Sequence, residues 1–266
     1  MQKFFSRLAI LLLLGFFIYS AATIISSMVL LNNSAKENAE AVEKYTVPVT
    51  VPAETGDETA PEYDRAPITV DFDALKWVNG DIVGWLYCAD PDLNYPVLHT
   101  NNNSYYLKHS YTGKYSPGGA IFVDSRNRDE FVDGNTIIYG HHMPDNTMLT
   151  CLEFWDGQEY YDSHKEMYLL TPQGDYRIEI IAGYVVPANS NTYTVVYKPG
   201  RDVESYLEKI MERSVFETEV EADPNARYVL LSTCSHKYDN ARAVIHGKLV
   251  PLDTVGGVLP EEEQAA

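Results

Sequence analysis

From Tyr95 to Val250 the apolar residues come in short runs bounded by turn formers, and this pattern narrows the available folds more than any other. YPVLH (95–99), GAIFVD (119–124), NTIIYGH (135–141), EMYLLT (166–171), YRIEIIAGYVV (176–186), RYVLLSTC (227–234) and ARAVIHGKLV (241–250) are rich in Val, Ile and Tyr. Such residues suit a pleated, half-buried backbone. Seven runs of this kind predict a mostly β domain, a barrel or a sandwich. One segment of this half breaks the pattern. In DVESYLEKIMER (202–213), Val203, Tyr206, Leu207 and Ile210 share a helical face, which predicts one helix inserted ahead of the last two strands. Upstream, DFDALKWVNGDIVGWL spaces Phe72, Leu75, Trp77, Ile82 and Val83 in a partly helical way that is interrupted at Asn79-Gly80. This predicts a short helical lead-in packed on the domain.

Residues 8–31 carry no charged side chain over 24 positions. At about 1.5 Å per helical residue they are long enough for a hydrocarbon layer of about 30 Å. Lys3 and Arg7 precede the run, while Lys36, Glu37, Glu40, Glu43 and Lys44 follow it with mixed sign. The positive-inside rule therefore puts the N-terminus in the cytoplasm and the rest outside. The competing reading is a cleaved secretory signal, but its apolar stretch is usually about 7–15 residues, and here the run continues past Ala21-Ala22 to Leu31. The chain then divides into a stub and anchor (1–31), a linker (32–68), a folded main domain (69–252) and a flexible tail (253–266). The linker is acidic and contains Pro48, Pro52, Pro61 and Pro67, a composition typical of a spacer. The net charge of −18 excludes nucleic acid as a partner.

Three cysteines cannot all pair with one another. Cys88 and Cys151 lie in apolar contexts, GWLYC and MLTCLEF, and read as core thiols. Cys234 differs, because it ends an apolar strand and is followed by the polar SHKYDN. If that segment is a tight connection, Arg242 at the start of the next strand stands beside it. A guanidinium there can donate to an oxyanion forming on an attacked carbonyl. A thiol nucleophile also needs a proton partner, and His141 ends the strand NTIIYGH just before a Pro-Asp-Asn turn. A strand-end Cys, a neighbouring Arg and a strand-end His together form a set for acyl transfer through a thioester. His236 is the alternative base. His141, His142 and Cys151 come without a C-x-x-C or H-E-x-x-H pattern, so no metal and no cofactor is expected.

YGHHM, then LSTC, then an arginine at the head of the next strand resemble the signature of sortases. NGDIVGWL (79–86), YPVLHTNNNSYYLKH (95–109), GAIFVDSRN (119–127) and the helix at 202–213 resemble the class B branch. The resemblance covers about residues 70–250. It implies a sortase-type closed β-barrel with N-terminal helices and one helix inserted before the catalytic strand. It further implies Cys234 as nucleophile, His141 as acid/base and Arg242 as oxyanion stabiliser, with Asn103, Leu107, Ser232 and Thr233 holding the substrate. The implied partners are secreted proteins with a C-terminal sorting signal, and an amine from a peptidoglycan precursor or, in pilus assembly, a lysine. A hydrolytic thiol protease and a non-enzymatic surface binding module are the rival readings. SHKYDN lacks the acidic residue expected directly after the cysteine, which leaves an auxiliary carboxylate unassigned.

Overall fold

A computed structural model of the chain describes residues 2–49 and 64–259. Eight strands close into a barrel in the order β10-β8-β7-β3-β4-β5-β6-β9. They are β3 (Ile82–Cys88), β4 (Leu93–His99), β5 (Ile121–Val123), β6 (Asn135–Tyr139), β7 (Glu166–Leu170), β8 (Tyr176–Pro187), β9 (Arg227–Ser235) and β10 (Ala241–Pro251). β4 with β5 and β6 with β9 run parallel, and the remaining neighbours are antiparallel. Closure leaves no open sheet edge.

Strand alternation separates inside from outside. One cluster draws on all eight strands, with Leu86, Val97, Ile121, Ile138, Leu169, Ile178, Leu231 and Ile245, and is therefore the barrel interior. Their immediate neighbours Ile137, Leu230 and Val244 face outward beneath the helix α4 (Arg201–Arg213), which buries Val203, Tyr206, Leu207 and Ile210 there. The helical face read from the sequence is the face that packs.

On another side the barrel is covered by α1 (Gln2–Tyr45), by α2 (Phe72–Val78) and by the two-stranded sheet of β1 (Thr46–Pro48) with β2 (Ile68–Val70). This corrects the spacer expectation for residues 32–48. NNSAKENAEAVEKY is polar, but Ala, Glu and Lys are strong helix formers. Its Ala41 and Tyr45 are buried, and Glu37 accepts a 2.7 Å hydrogen bond from the Thr112 hydroxyl. Residues 50–63 of the expected linker lie outside the described residues.

The lead-in is also corrected in part. α2 is capped by the Asp71 carboxylate, which accepts from the Ala74 N–H at 2.9 Å, and it buries Phe72 and Leu75. Trp77, however, is 91% exposed, and Ile82 and Val83 belong to β3. The tail is not frayed at its start. Thr254, Gly256 and Gly257 donate to the buried Asp175 carboxylate at 2.7, 3.0 and 2.6 Å, while residues 260–266 lie outside the described residues.

Candidate active site

Three neighbouring strands bring the predicted trio to one level. Arg242 of β10 is the direct cross-strand partner of Cys234 on β9, and facing Cβ atoms in such a pair are about 5 Å apart. On the other side of β9, Tyr139 of β6 pairs with Ser232 in parallel. Two residues on along both strands stand His141 and Cys234. Parity agrees: Ser232, Cys234, Arg242 and Tyr139 alternate with inward-facing Leu231, Ala243 and Ile138, so the trio lies on the outer surface of the sheet.

There His141, Cys234 and Arg242 line one cavity of about 330 Å³, together with Asn103, Leu107, Ser232 and Thr233. The structure thus brings all seven anticipated residues to one groove. Cys234 is half-buried, whereas Cys88 and Cys151 are buried. Burial pushes the Cys88 thiol up to about 11 and the Cys151 thiol up to about 12.

The imidazole of His141 is fixed from two directions. Its Nε2–H donates to the Leu107 carbonyl at 2.8 Å; since a carbonyl only accepts, Nδ1 is the nitrogen left for proton exchange. Behind it, a Cβ on Gly119 would lie 3.0 Å from His141 Cδ2, and Gly119 has φ +59°, so glycine is required there on both counts. Gly140 answers a different need, because a Cβ there would meet Leu149 Cγ at 2.6 Å. The Tyr139 hydroxyl donates to Asp124 at 2.8 Å, and Arg126 grips the same carboxylate with two bonds of 2.8 Å. Burial acts to raise the Asp124 pKa, but these donors outweigh it and hold it at about 2.

Arg242 donates to the Ala241 carbonyl at 2.8 Å, which leaves the rest of its fork for a ligand. The Asn103 side-chain oxygen accepts from the Ser125 N–H at 2.6 Å, and Leu107 is 40% exposed on the rim. Ser232 shares a 2.9 Å hydroxyl bond with Tyr193.

Thr233 departs from expectation. It pairs with the inward-facing Ala243, and its hydroxyl is buried with no partner among the described residues. Its side chain faces the barrel interior, so what Thr233 offers the groove is backbone.

Sequence reasoning missed Tyr193, Phe122 and Ala188, which also line the cavity. Tyr193 stands in the unpatterned loop after β8, and nothing local distinguishes it. His236 does not line the groove; it packs edge-on to His142, with ring centroids 4.7 Å apart. Outside the groove, Glu153 accepts from His142 Nε2 at 2.9 Å.

Comparison with known proteins decides the family. No family model matches the chain. Over 178 residues it is 36% identical to sortase B of Listeria monocytogenes, an alignment covering 66% of this chain and 72% of that protein. The chain belongs to the sortase B family. Sortase B of Bacillus anthracis superposes with a TM-score of 0.69 at 30% identity, covering 84% of this chain and 99% of the other. A substrate complex of Staphylococcus aureus sortase B superposes with a TM-score of 0.63 at 31% identity, covering 71% and 87%. This sortase is accordingly a cysteine transpeptidase by family, and its closed barrel is the family's fold.

Proposed function

We propose that this sortase cleaves a C-terminal sorting signal of secreted proteins after threonine and transfers the acyl group to an amine of a cell-wall precursor. The observation that carries the reading is that His141, Cys234 and Arg242 line one cavity, with Arg242 the direct cross-strand partner of Cys234. Cys234 passes its thiol proton to His141 Nδ1 as Sγ attacks the threonine carbonyl carbon, and the oxyanion forms beside the Arg242 fork. Collapse breaks the C–N bond as His141 gives its proton to the leaving amine. The incoming amine then attacks the thioester and loses a proton to His141, and the sulfur departs.

The groove between the Asn103–Leu107 segment and Tyr193 supports peptide binding, with Leu107 supplying apolar surface and Tyr193 a hydroxyl. The substrate complex of the S. aureus relative supports a sorting signal as the occupant. Residues 8–31 hold the enzyme in a membrane in this reading. α1 contains the one helix among the described residues that is long and apolar enough to cross, and Lys3 and Arg7 at its start favour a cytoplasmic N-terminus.

The test is cleavage of a fluorogenic pentapeptide library by the full chain in detergent, with and without triglycine. Amide product should require both triglycine and Cys234, and Cys234→Ala and His141→Ala should abolish it. Arg242→Ala should lower kcat by about 100- to 1000-fold, as loss of one oxyanion donor does. Hydrolysis unaffected by triglycine would refute transfer.

A further inference from the structure

The ladder joining the two catalytic strands stops short of the catalytic groups. β6 and β9 pair only as far as Tyr139 and Ser232, and the Gly140 N–H reaches the Ser232 carbonyl at 3.1 Å. Beyond that point no backbone hydrogen bond joins 141–143 to 233–236 among the described residues. The spacing of His141 from Cys234 must be held in another way.

A side chain from a third element supplies the link. Glu153 sits on the 3-10 turn Thr150–Phe154, which packs against both β9 and β10. Its carboxylate accepts from His142 Nε2 at 2.9 Å, and the His142 ring in turn packs edge-on against His236, with centroids 4.7 Å apart. Glu153 therefore holds the residue after His141, and through that residue's ring it reaches the second residue after Cys234. Both ends are sheltered, with side-chain exposures of 12% for His142 and 23% for Glu153. Burial works to raise the Glu153 pKa, but Ser235, His142 and the His236 N–H together lower it, so the clamp is charged at neutral pH. Glu153 itself does not line the groove.

We propose that Glu153 is a positioning residue for the transfer reaction, clamping the segment after His141 to the segment after Cys234 and so fixing the imidazole–sulfur spacing. The inference rests on the transpeptidase reading above. Because Glu153 does not reach the peptide, its loss acts on turnover and leaves binding alone. Displacement of a reacting group by about 1 Å is enough for a loss of about 100-fold.

The experiment uses the full chain in detergent, the best pentapeptide from the library, and triglycine. Glu153→Ala should lower kcat about 10- to 100-fold with KM unchanged. Adding His142→Ala to it should cost nothing further, since both changes cut the same tie. Glu153→Gln keeps the volume and one accepting oxygen, so it serves if the alanine variant fails to fold; it should still lower kcat several-fold at an unchanged melting temperature. A Glu153→Gln enzyme with wild-type kcat, or Glu153→Ala and His142→Ala effects that simply multiply, would overturn the clamp while leaving the transpeptidase reading intact. A wild-type chain with no Cys234-dependent turnover would overturn that reading, and the clamp with it.

Discussion

Replacing Gly119 by alanine tests how the His141 imidazole is seated. The added Cβ falls far inside contact with the Tyr106 carbonyl oxygen, and it stands 3.0 Å from both the Leu107 oxygen and His141 Cδ2. Ordinary contact begins at 3.4 Å, so the imidazole must yield by a few tenths of an ångström. Two backbone oxygens have less freedom to do so. The Tyr106 carbonyl accepts from the Ala120 N–H at 2.9 Å, and losing that bond costs about 1 kcal/mol. Holding a side-chain-bearing residue at φ +59° adds about 1–2 kcal/mol.

The sum, about 2–3 kcal/mol, corresponds to a fall in Tm of roughly 4–12 °C for a domain of this size. Turnover should fall further than stability, by about 100-fold, because the Leu107 carbonyl that orients His141 and the ring itself are both pushed. Calorimetry and peptide transfer on the same sample separate the two effects. Gly80→Ala is the control, since nothing lies within 4 Å of its added Cβ. If Gly119→Ala melts and turns over like Gly80→Ala, the seating described for His141 is wrong.

Asp124 sets an acid limit. Its pKa is held at about 2 against an ordinary 3.8, so the stability it contributes is complete above about pH 4 and is lost as pH falls through about 2. The contribution is about 1–2 kcal/mol once solvent screening of the half-exposed Arg126 is allowed for. Denaturant melts of Asp124→Asn between pH 5 and pH 2, both values roughly chosen to bracket that window, should therefore show a shallower pH dependence than wild type. Thiol chemistry gives a second check: with burial raising the Cys88 and Cys151 thiols to about 11 and about 12, a methanethiosulfonate reagent near neutral pH should modify Cys234 alone. Mass spectrometry of peptides from the intact fold would show label on Cys88 or Cys151 if their burial is overstated.

The barrel was legible because alternation and turn residues mark strands independently of tertiary context. Seven of its eight strands follow from that signal. β3 escaped because Ile82, Trp85 and Leu86 are buried on both faces of the sheet, and a continuous apolar run carries no period to distinguish strand from helix. Residues 32–45 misled in the opposite way, since a helix with only a narrow packed stripe looks as polar as a spacer.

The His141, Cys234 and Arg242 trio was readable because each member stands at or just past the end or the start of a strand, where register pairs Cys234 with Arg242 and brings the end of β6 alongside. Thr233 shows the limit of adjacency: one step from Cys234, its side chain faces the interior. Glu153 carried no signal at all, because its contacts depend on where a short turn packs and not on spacing within the chain.

α1 runs without interruption from its apolar half to Tyr45, and Ser34 already touches the strand-connecting segment, its Oγ lying 3.0 Å from where a Cβ on Gly118 would stand. In the membrane-anchored arrangement proposed above, this continuous helix mounts the barrel on a stiff mast and not on a leash. The mouth of the groove then keeps a set height and bearing above the bilayer, so both reactants must be delivered to it, and inserting a flexible joint after Leu31 would trade that aim for reach.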